Sequence, residues 1–159
     1  MIRNICNGFR NNQGTVRMIN VENIMSRQVV SVGMDDTLKE IREIFEHVRF
    51  HHILVVDNER LVGVISDRDL LKAVSPYANT QSEHPRDAAT LRKRAHQIMT
   101  RKPVTIAIDG SVLEAIRCFL DNKVSCLPVL NRDGSVAGIL TWRDILKTIV
   151  STVEKAHKA

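Results

Sequence analysis

Apolar and polar positions along this chain switch between two periods, and the order of the switching occurs twice. Val29 to Val32 is a short β-branched run, which predicts a strand. Asp36-Thr37 then opens a helix in which Leu38, Ile41, Phe45 and Val48 fall at steps of three and four, one apolar stripe. Thr37 with Glu40 has the spacing of a capping box. Ile53 to Val56 predicts a buried strand, Asp57 to Arg60 a turn, Leu61 to Ile65 the returning strand, and Asp67 to about Val74 a second helix. The same order returns as Val104 to Ile106, Val112 to Leu120 capped by Ser111 and Glu114, Leu127 to Leu130, Val136 to Leu140, and a last helix from Trp142. Asn131 to Gly134 supplies the second hairpin turn.

The match extends to individual residues. Ile24-Met25-Ser26-Arg27 recurs as Ile98-Met99-Thr100-Arg101, a shift of 74, and Val30, Asp35, Glu40, Phe45 and Val55 all have identical partners at that shift. After one inserted residue near Gly134, Gly63-Val64-Ile65-Ser66 matches Gly138-Ile139-Leu140-Thr141, and Arg68-Asp69 matches Arg143-Asp144. A unit of about 55 residues buries too little surface to be comfortable alone, so the two copies are expected to share one core. The organisation read from this is an N-terminal extension over 1–20, a first unit over 21–75, a linker with a helix over 76–96, a second unit over 97–151 and a C-terminal tail over 152–159. The linker from Ser75 to Arg86, with Pro76 and Pro85, is expected to be irregular, and Asp87 to Ile98 helical. Met1 to Arg17 lies outside the repeat and is expected to be disordered or a loosely docked arm, with Met18 a candidate natural start.

Composition narrows the class. With 43% hydrophobic and 26% charged residues the chain is neither disordered nor a coiled-coil rod. Four Phe, one Tyr and one Trp are too few for a base-stacking surface. No apolar run reaches the roughly 20 residues of a membrane helix, and Met1 to Asn12 lacks the apolar stretch of a signal peptide, so a cytoplasmic protein without membrane contact is expected. Cys6, Cys118 and Cys126 are odd in number and form no C-x-x-C pair, which argues against a disulfide framework or a zinc site. No metal ligand set and no nucleophile–base set can be placed, so no catalytic residue and no enzymatic activity are expected. Twenty-three Lys and Arg against 18 Asp and Glu leave a net charge of +5, which favours anionic partners. Much of the excess sits in the N-terminal stretch, at Arg3, Arg10 and Arg17, and around the second linker.

The repeated element with chemistry is Gly-apolar-apolar-Ser/Thr-x-Arg-Asp, at Gly63 to Asp69 and Gly138 to Asp144. It lies where a strand turns into a helix. Glycine lets a ligand approach the backbone. Ser66 or Thr141 places a hydroxyl at the helix mouth, and Asp69 or Asp144, three residues on, points to the same side. Hydroxyl plus carboxylate suits the vicinal hydroxyls of a ribose; helix N-terminus plus Arg68 or Arg143 suits phosphate. The same Ser/Thr-x-x-Asp spacing is also a plain capping box, worth about 1 kcal/mol of helix stability. Capping needs neither arginine.

These residues, in this order, resemble a tandem cystathionine-β-synthase (CBS) domain pair, also called a Bateman module. The resemblance runs from about Val21 to Val150 and rests on the Ile-Met start, the capped first helix, the His-x-x-Val-Val-Asp strand and the Gly-x-x-Ser/Thr-x-Arg-Asp end. It is similar to stand-alone bacterial members of the acetoin-utilisation regulator type. The resemblance implies an α+β fold of two tandem β-α-β-β-α units packed through their sheets with pseudo-twofold symmetry. It implies two clefts for adenosine derivatives: AMP, ADP, ATP, S-adenosylmethionine or NAD. The adenine nucleotide is then a regulatory ligand and no cofactor is implied. Ser66 with Asp69 and Thr141 with Asp144 would hold ribose; Arg68 and Arg143 would reach phosphate, with His51 and, more weakly, His52 beside them. The backbones near Ile53 and Leu127, with Val30 and Val104, would line the adenine. A homodimer through the helices and an unknown protein partner are also implied. The chain departs from the family pattern at Leu54, where proline is frequent and Pro128 is retained in the second copy, and at Ser125, which replaces the histidine. The two sites are therefore expected to be inequivalent.

Two positions keep a second reading. His51 and His52 are also ordinary strand-entry residues. Trp142 can pack at the helix start, meet a second copy or stack on the ligand. The alternative function is a nucleic-acid-binding protein using the basic stretch from Arg86 to Lys102, which has no helix-turn-helix or RNA-binding signature beside it and is also explained as a solvated helix face.

Overall fold

The computed structural model describes residues 19–48 and 50–157; the expectations for the N-terminal stretch, Cys6 and the start at Met18 fall outside them. The class is α+β, with two separate sheets. One compact unit holds Gln28–Pro103 with Gly134–Val136; the other holds the described chain up to Arg27, Val104–Asp133 and the chain from Ala137 onward.

In the first of these units a four-stranded sheet runs in the order β1 (Ser31–Gly33), β2 (His52–Asp57), β3 (Arg60–Ser66), β4 (Thr100–Arg101). β1 lies parallel to β2, and the other two pairings are antiparallel. The β2–β3 turn puts Asn58 and Glu59 both at positive φ, 47° and 63°, the geometry of a two-residue hairpin with the native twist. Helix α1 (Leu38–His47) starts where Thr37 donates its N–H to Glu40 Oε2 at 2.7 Å and accepts from Glu40 N–H at 3.3 Å. Its stripe is buried at Leu38 and Ile41 and half-buried at Ile44 and Phe45. Val48, read as part of the stripe, is the extended C-cap instead. Helix α2 (Asp67–Ala73) follows β3 directly. The stretch read as one helix from Asp87 to Ile98 is two, α3 (Pro85–Leu91) and α4 (Ala95–Ile98). The break has a use: Lys93 C=O accepts from Leu38 N–H at 2.8 Å and Arg94 bridges Thr37, so this segment closes over the start of α1.

The other unit has a three-stranded sheet in the order β5 (Ile106–Ala107), β6 (Cys126–Leu130), β7 (Val136–Thr141), with β5 parallel to β6. Helix α5 (Val112–Asn122) carries the Ser111–Glu114 capping box, and α6 (Trp142–His157) follows β7. α6 runs well into the stretch expected to be a tail, because Ile145, Ile149 and Val153 continue the i, i+4, i+8 spacing past the repeat.

The compact units do not coincide with the sequence copies. The opening segment of the first copy, a short 3-10 turn at Val21–Asn23 followed by Ile24-Met25-Ser26, packs in the unit of the second. Val21 is fully buried among Ile106, Leu127 and Leu140. Its N–H donates to Gly110 C=O at 2.8 Å, and Ser26 and Ile139 exchange two backbone bonds at 2.9 Å. The equivalent segment ahead of the second copy does the reverse. Ala95 N–H donates to Asp36 C=O at 2.8 Å, His96 N–H to Met34 C=O at 3.0 Å, and Thr100 pairs with Val64. Ala95 and Met99 join Leu38, Ile53 and Ile65 in that core. Each copy thus receives its closing segment from the other, a reciprocal exchange that explains why the Ile-Met start repeats as faithfully as the strands do.

Candidate functional site

The repeated motif sits at the β3–α2 corner in one unit and the β7–α6 corner in the other. At the first corner Ser66 Oγ donates to Asp69 Oδ2 at 2.6 Å, Ser66 N–H donates to the same oxygen at 2.9 Å, and Asp69 N–H returns a bond to Ser66 Oγ at 3.2 Å. At the second, Thr141 Oγ1 and N–H donate to Asp144 Oδ2 at 2.6 and 2.9 Å. The first pair closes both halves of the capping box, the second makes the bonds from Thr141 to the Asp144 carboxylate, and both are half-buried. Each therefore presents a fixed hydroxyl–carboxylate pair at a strand-to-helix corner, with the bonds of the carboxylate gathered on one oxygen.

The glycines of the motif have a use other than ligand approach. A Cβ on Gly63 would stand 2.5 Å from Met99 Sδ, and one on Gly138 would stand 2.5 Å from Ser26 C=O and 3.0 Å from Met25 Sδ. The exchanged Ile-Met segments occupy that space, so the glycine is required by close packing within the fold.

Around the first corner, His51 comes in from the entry to β2. Its C=O accepts from Asp67 N–H at 3.1 Å, and its Nδ1 lies 2.9 Å from Asp67 Oδ2. Asp67 also takes Arg68 N–H on Oδ1 at 2.8 Å. Burial pushes the Asp67 carboxyl up, but the bonds from His51 and the Arg68 amide outweigh it and hold the group below the usual carboxylate range. His52 is half-buried, and burial first of all lowers its pKa, so it is neutral at physiological pH. Arg68 is exposed. Ile53 is fully buried in the core and Val30 packs against that core, so the side chain of Ile53 faces inward and its backbone alone remains for a ligand. Val30 C=O accepts from Leu54 N–H at 3.1 Å.

The second corner is built differently. Leu127 is fully buried and Val104 packs against the same core. Pro128 is fully buried in β6 and has no N–H to offer Val104 in the way that Leu54 serves Val30. Trp142 is half-exposed, and Arg143 lies over its ring with the guanidinium carbon 5.9 Å from the centroid, a cation–π pair. Ser125 and Trp142 stand where the first copy has His51 and Asp67.

Asp67 is the site residue that the sequence reading passed over. It occupies the unspecified position of the motif, and its counterpart in the second copy is Trp142. The basic stretch, by contrast, is partly committed to structure. Lys93 Nζ donates to Ala73 C=O at 3.1 Å, Arg94 binds Asp35 C=O, and Arg101 donates to His96 C=O at 3.1 Å. Among the described residues no group of three His, Cys, Asp or Glu could hold a metal ion, and no helix is long and apolar enough to cross a membrane. Burial pushes the Cys126 thiol up to about 12, which makes it inert.

A doubled β-α-β-β-α unit, with a Ser/Thr–Asp pair held at each strand-to-helix corner and closing segments exchanged between copies, defines the class of protein to which this chain belongs. Residues 21–76 and 95–151 match the CBS domain, and the chain belongs to that family as a tandem CBS pair. A CBS domain-containing protein of Dictyostelium discoideum is 32% identical over 136 residues, spanning 84% of this chain and 93% of the relative. Among solved structures, the acetoin utilization protein AcuB of Vibrio cholerae superposes with a TM-score of 0.73 at 24% identity, covering 90% of this chain and 98% of that one. The structure of CBSX2 in complex with AMP superposes with a TM-score of 0.69 at 25% identity, covering 83% and 96%.

Proposed function

We propose that this protein is a non-catalytic regulatory module that senses adenosine derivatives, one at the Ser66–Asp69 corner and one at the Thr141–Asp144 corner. The observation that carries the reading is the repeated, pre-formed hydroxyl–carboxylate pair next to an exposed arginine, Arg68 or Arg143. A ribose offers two vicinal hydroxyls, and the free carboxylate oxygen accepts from one while Ser66 or Thr141 meets the other. Arg68 and Arg143 answer phosphate. Val30 and Val104, with the backbones of Ile53 and Leu127, line the adenine, and His51 with the weaker His52 lies beside the phosphates. The AMP complex of a relative of the same family supports the ligand class.

Binding energy directed at these corners shifts whichever arrangement of the module makes better contacts with the ligand. The output passes to a protein partner or to a second copy. A homodimer through the helices is supported by apolar residues left exposed on them: Leu71 on α2 at 76%, Leu120 on α5 at 72%, and Leu146 and Val150 on α6. Beside Leu71, a groove of about 510 Å³ between α1 and α2 is lined by Phe45, Leu70, Leu71 and Val74 together with Arg42, Glu46 and Asp67.

A thermal-shift screen of AMP, ADP, ATP, NAD and S-adenosylmethionine tests the reading, because a ligand that binds only the native state raises the Tm. A saturable rise with at least one of them, lost in the double variant Asp69→Asn/Asp144→Asn, is expected. No shift with any ligand overturns it. The nucleic-acid alternative requires instead a salt-dependent retention of DNA or RNA that neutralising Arg92 and Arg94 removes.

A further inference from the structure

Each exchanged segment runs straight on into the adenine wall proposed for the other corner. Residues 100–104 begin as β4, where Thr100 pairs with Val64 and Arg101 with Gly63, just ahead of Ser66 on the same strand. They end at Val104, which packs on the core of Leu127 and Leu140. Residues 26–30 begin where Ser26 and Ile139 exchange backbone bonds at 2.9 Å, just ahead of Thr141. They end at Val30, which packs on the core of Ile53 and Ile65. The chain passes from one compact unit to the other inside these two stretches, after Arg27 and after Pro103.

The two straps are not built alike. The middle of 100–104 is stiff. Lys102 is held at φ 50°, a left-handed conformation that a non-glycine residue keeps only where its surroundings dictate it. Pro103 fixes its own φ at about −65°. The near end has no slack, because Met99 is buried with its Sδ 2.5 Å from the place a Cβ on Gly63 would take, and close-packed atoms pass a shift on to their neighbours. The far end lacks a clamp, because Pro128 in β6 has no N–H to give the carbonyl of Val104. In 26–30 the middle and the far end are reversed. Gln28 and Val29 stand in place of Lys102 and Pro103, and the carbonyl of Val30 is already bound by Leu54 N–H at 3.1 Å. A ligand at the first corner therefore meets a wall that is fixed before it arrives, whereas a ligand at the second corner fixes Val104 itself.

Resting on the adenosine reading above, we infer that residues 100–104 are a strap that couples the two corners, so that an adenosine ligand at either one raises the affinity of the other, and that residues 26–30 do not carry this coupling. A ligand that holds Val104 restrains the strap and, through β4, the end of β3 that presents Ser66. The next ligand then meets a corner already ordered and loses less freedom on binding. The effect is reciprocal, because a coupling free energy belongs to the pair of sites and not to one of them.

The test is calorimetric titration of AMP into the natural full-length chain, Asp69→Asn and Asp144→Asn. Each variant gives the association constant of the corner it leaves intact. The natural chain gives the product of its two stepwise constants, which without coupling equals the product of the two single-corner constants. The natural chain is expected to exceed that product about fivefold. The same set made on a Pro103→Gly background is expected to show no excess while both single-corner constants are kept, a result that a merely structural role for the proline does not give. On a Gln28→Gly background the excess is expected to stay. Should Pro103→Gly not fold, Lys102→Gly carries the test, since glycine adopts a positive φ freely and loosens the same strap. A natural chain that binds at both corners with no excess, or an excess that survives loosening of 100–104, overturns the inference and leaves the adenosine reading intact. Absence of AMP binding at either corner of the folded natural chain overturns the reading of two adenosine sites and this inference with it.

Discussion

The two copies share one plan and have specialised different parts of it. Both use a capped first helix, a buried strand, and a Ser/Thr–Asp pair at the strand-to-helix corner. Around that corner the first copy is hydrogen-bonded and titratable: Leu54 N–H serves Val30 C=O, and His51 is paired with Asp67. The second copy is apolar and aromatic there: Pro128 leaves the carbonyl of Val104 without that donor, and Trp142 holds Arg143. The comparison shows which residues a duplicated fold protects. The reciprocal closing segments and the first-helix caps are kept, since both units need them, while the residues rimming the Ser/Thr–Asp pairs differ and make the two corners unequal.

The largest effect expected from breaking this comparison is at the motif glycines. Gly138→Ala drives a Cβ against the Ser26 carbonyl, which is backbone and is held by two hydrogen bonds to Ile139. Gly63→Ala meets Met99 Sδ, Cγ and Cβ at 2.5, 2.9 and 3.1 Å, a buried side chain that can still turn aside where a backbone carbonyl cannot. Overpacking costs of about 1–3 kcal/mol are usual, so Gly138→Ala is expected at about 3 kcal/mol and Gly63→Ala nearer 1 kcal/mol. Denaturant unfolding measures both, and equal losses would contradict the difference in what each glycine faces.

Leu54→Pro makes the first copy resemble the second at its strand entry. It removes one backbone hydrogen bond and part of a fully buried side chain, and about 2 kcal/mol of destabilisation is expected by the same measurement. The protein is expected to fold, because Pro128 shows the position tolerates proline.

His52 sets a pH dependence confined to the first copy. Burial lowers its pKa, so the unfolded chain binds the proton more readily than the folded one. Its contribution is fully present above the unfolded value of about 6.5 and is lost as pH falls through the lower folded value. Stability of the parent relative to His52→Gln is therefore expected to decline on acidification below about pH 6.5. A difference that stays constant from pH 8 to pH 5 would show that His52 is not held neutral by burial.

Trp142→Ala is expected to have the smallest effect on stability, below about 1 kcal/mol, since the ring is half-exposed and its cation–π contact is a surface one. It frees Arg143, and nucleotide affinity at the second corner is expected to change while that at the first does not.

Much of the fold was legible because its signals are local. The Thr37–Glu40 and Ser111–Glu114 boxes mark both helix starts, and the stripe through Leu38 and Ile41 marks the buried face. The exchange of Val21–Ser26 for Ala95–Thr100 was not legible, since a repeat shows that two segments are alike and does not say which copy each one completes. For the same reason Gly63 and Gly138 read as places for a ligand, when the atoms nearest to them come from segments some 36 and 112 residues away in sequence. The break between α3 and α4 was hidden because Arg92 to Arg94 are good helix formers, overridden by the backbone bond from Leu38 to Lys93. Asp67 was hidden because it occupies an unspecified position of the motif, and only its hydrogen bond to His51 gives it a role.

Two unequal adenosine sites, one per copy of the motif, are the central proposal. Calorimetric titration of AMP into the natural chain, Asp69→Asn and Asp144→Asn tests it most directly, because asparagine keeps a side-chain acceptor for the cap while removing the carboxylate. Two classes of binding with different affinities are expected in the natural chain, with each variant retaining one of them. A folded natural chain that binds no AMP, or variants whose titrations match it, would contradict the claim.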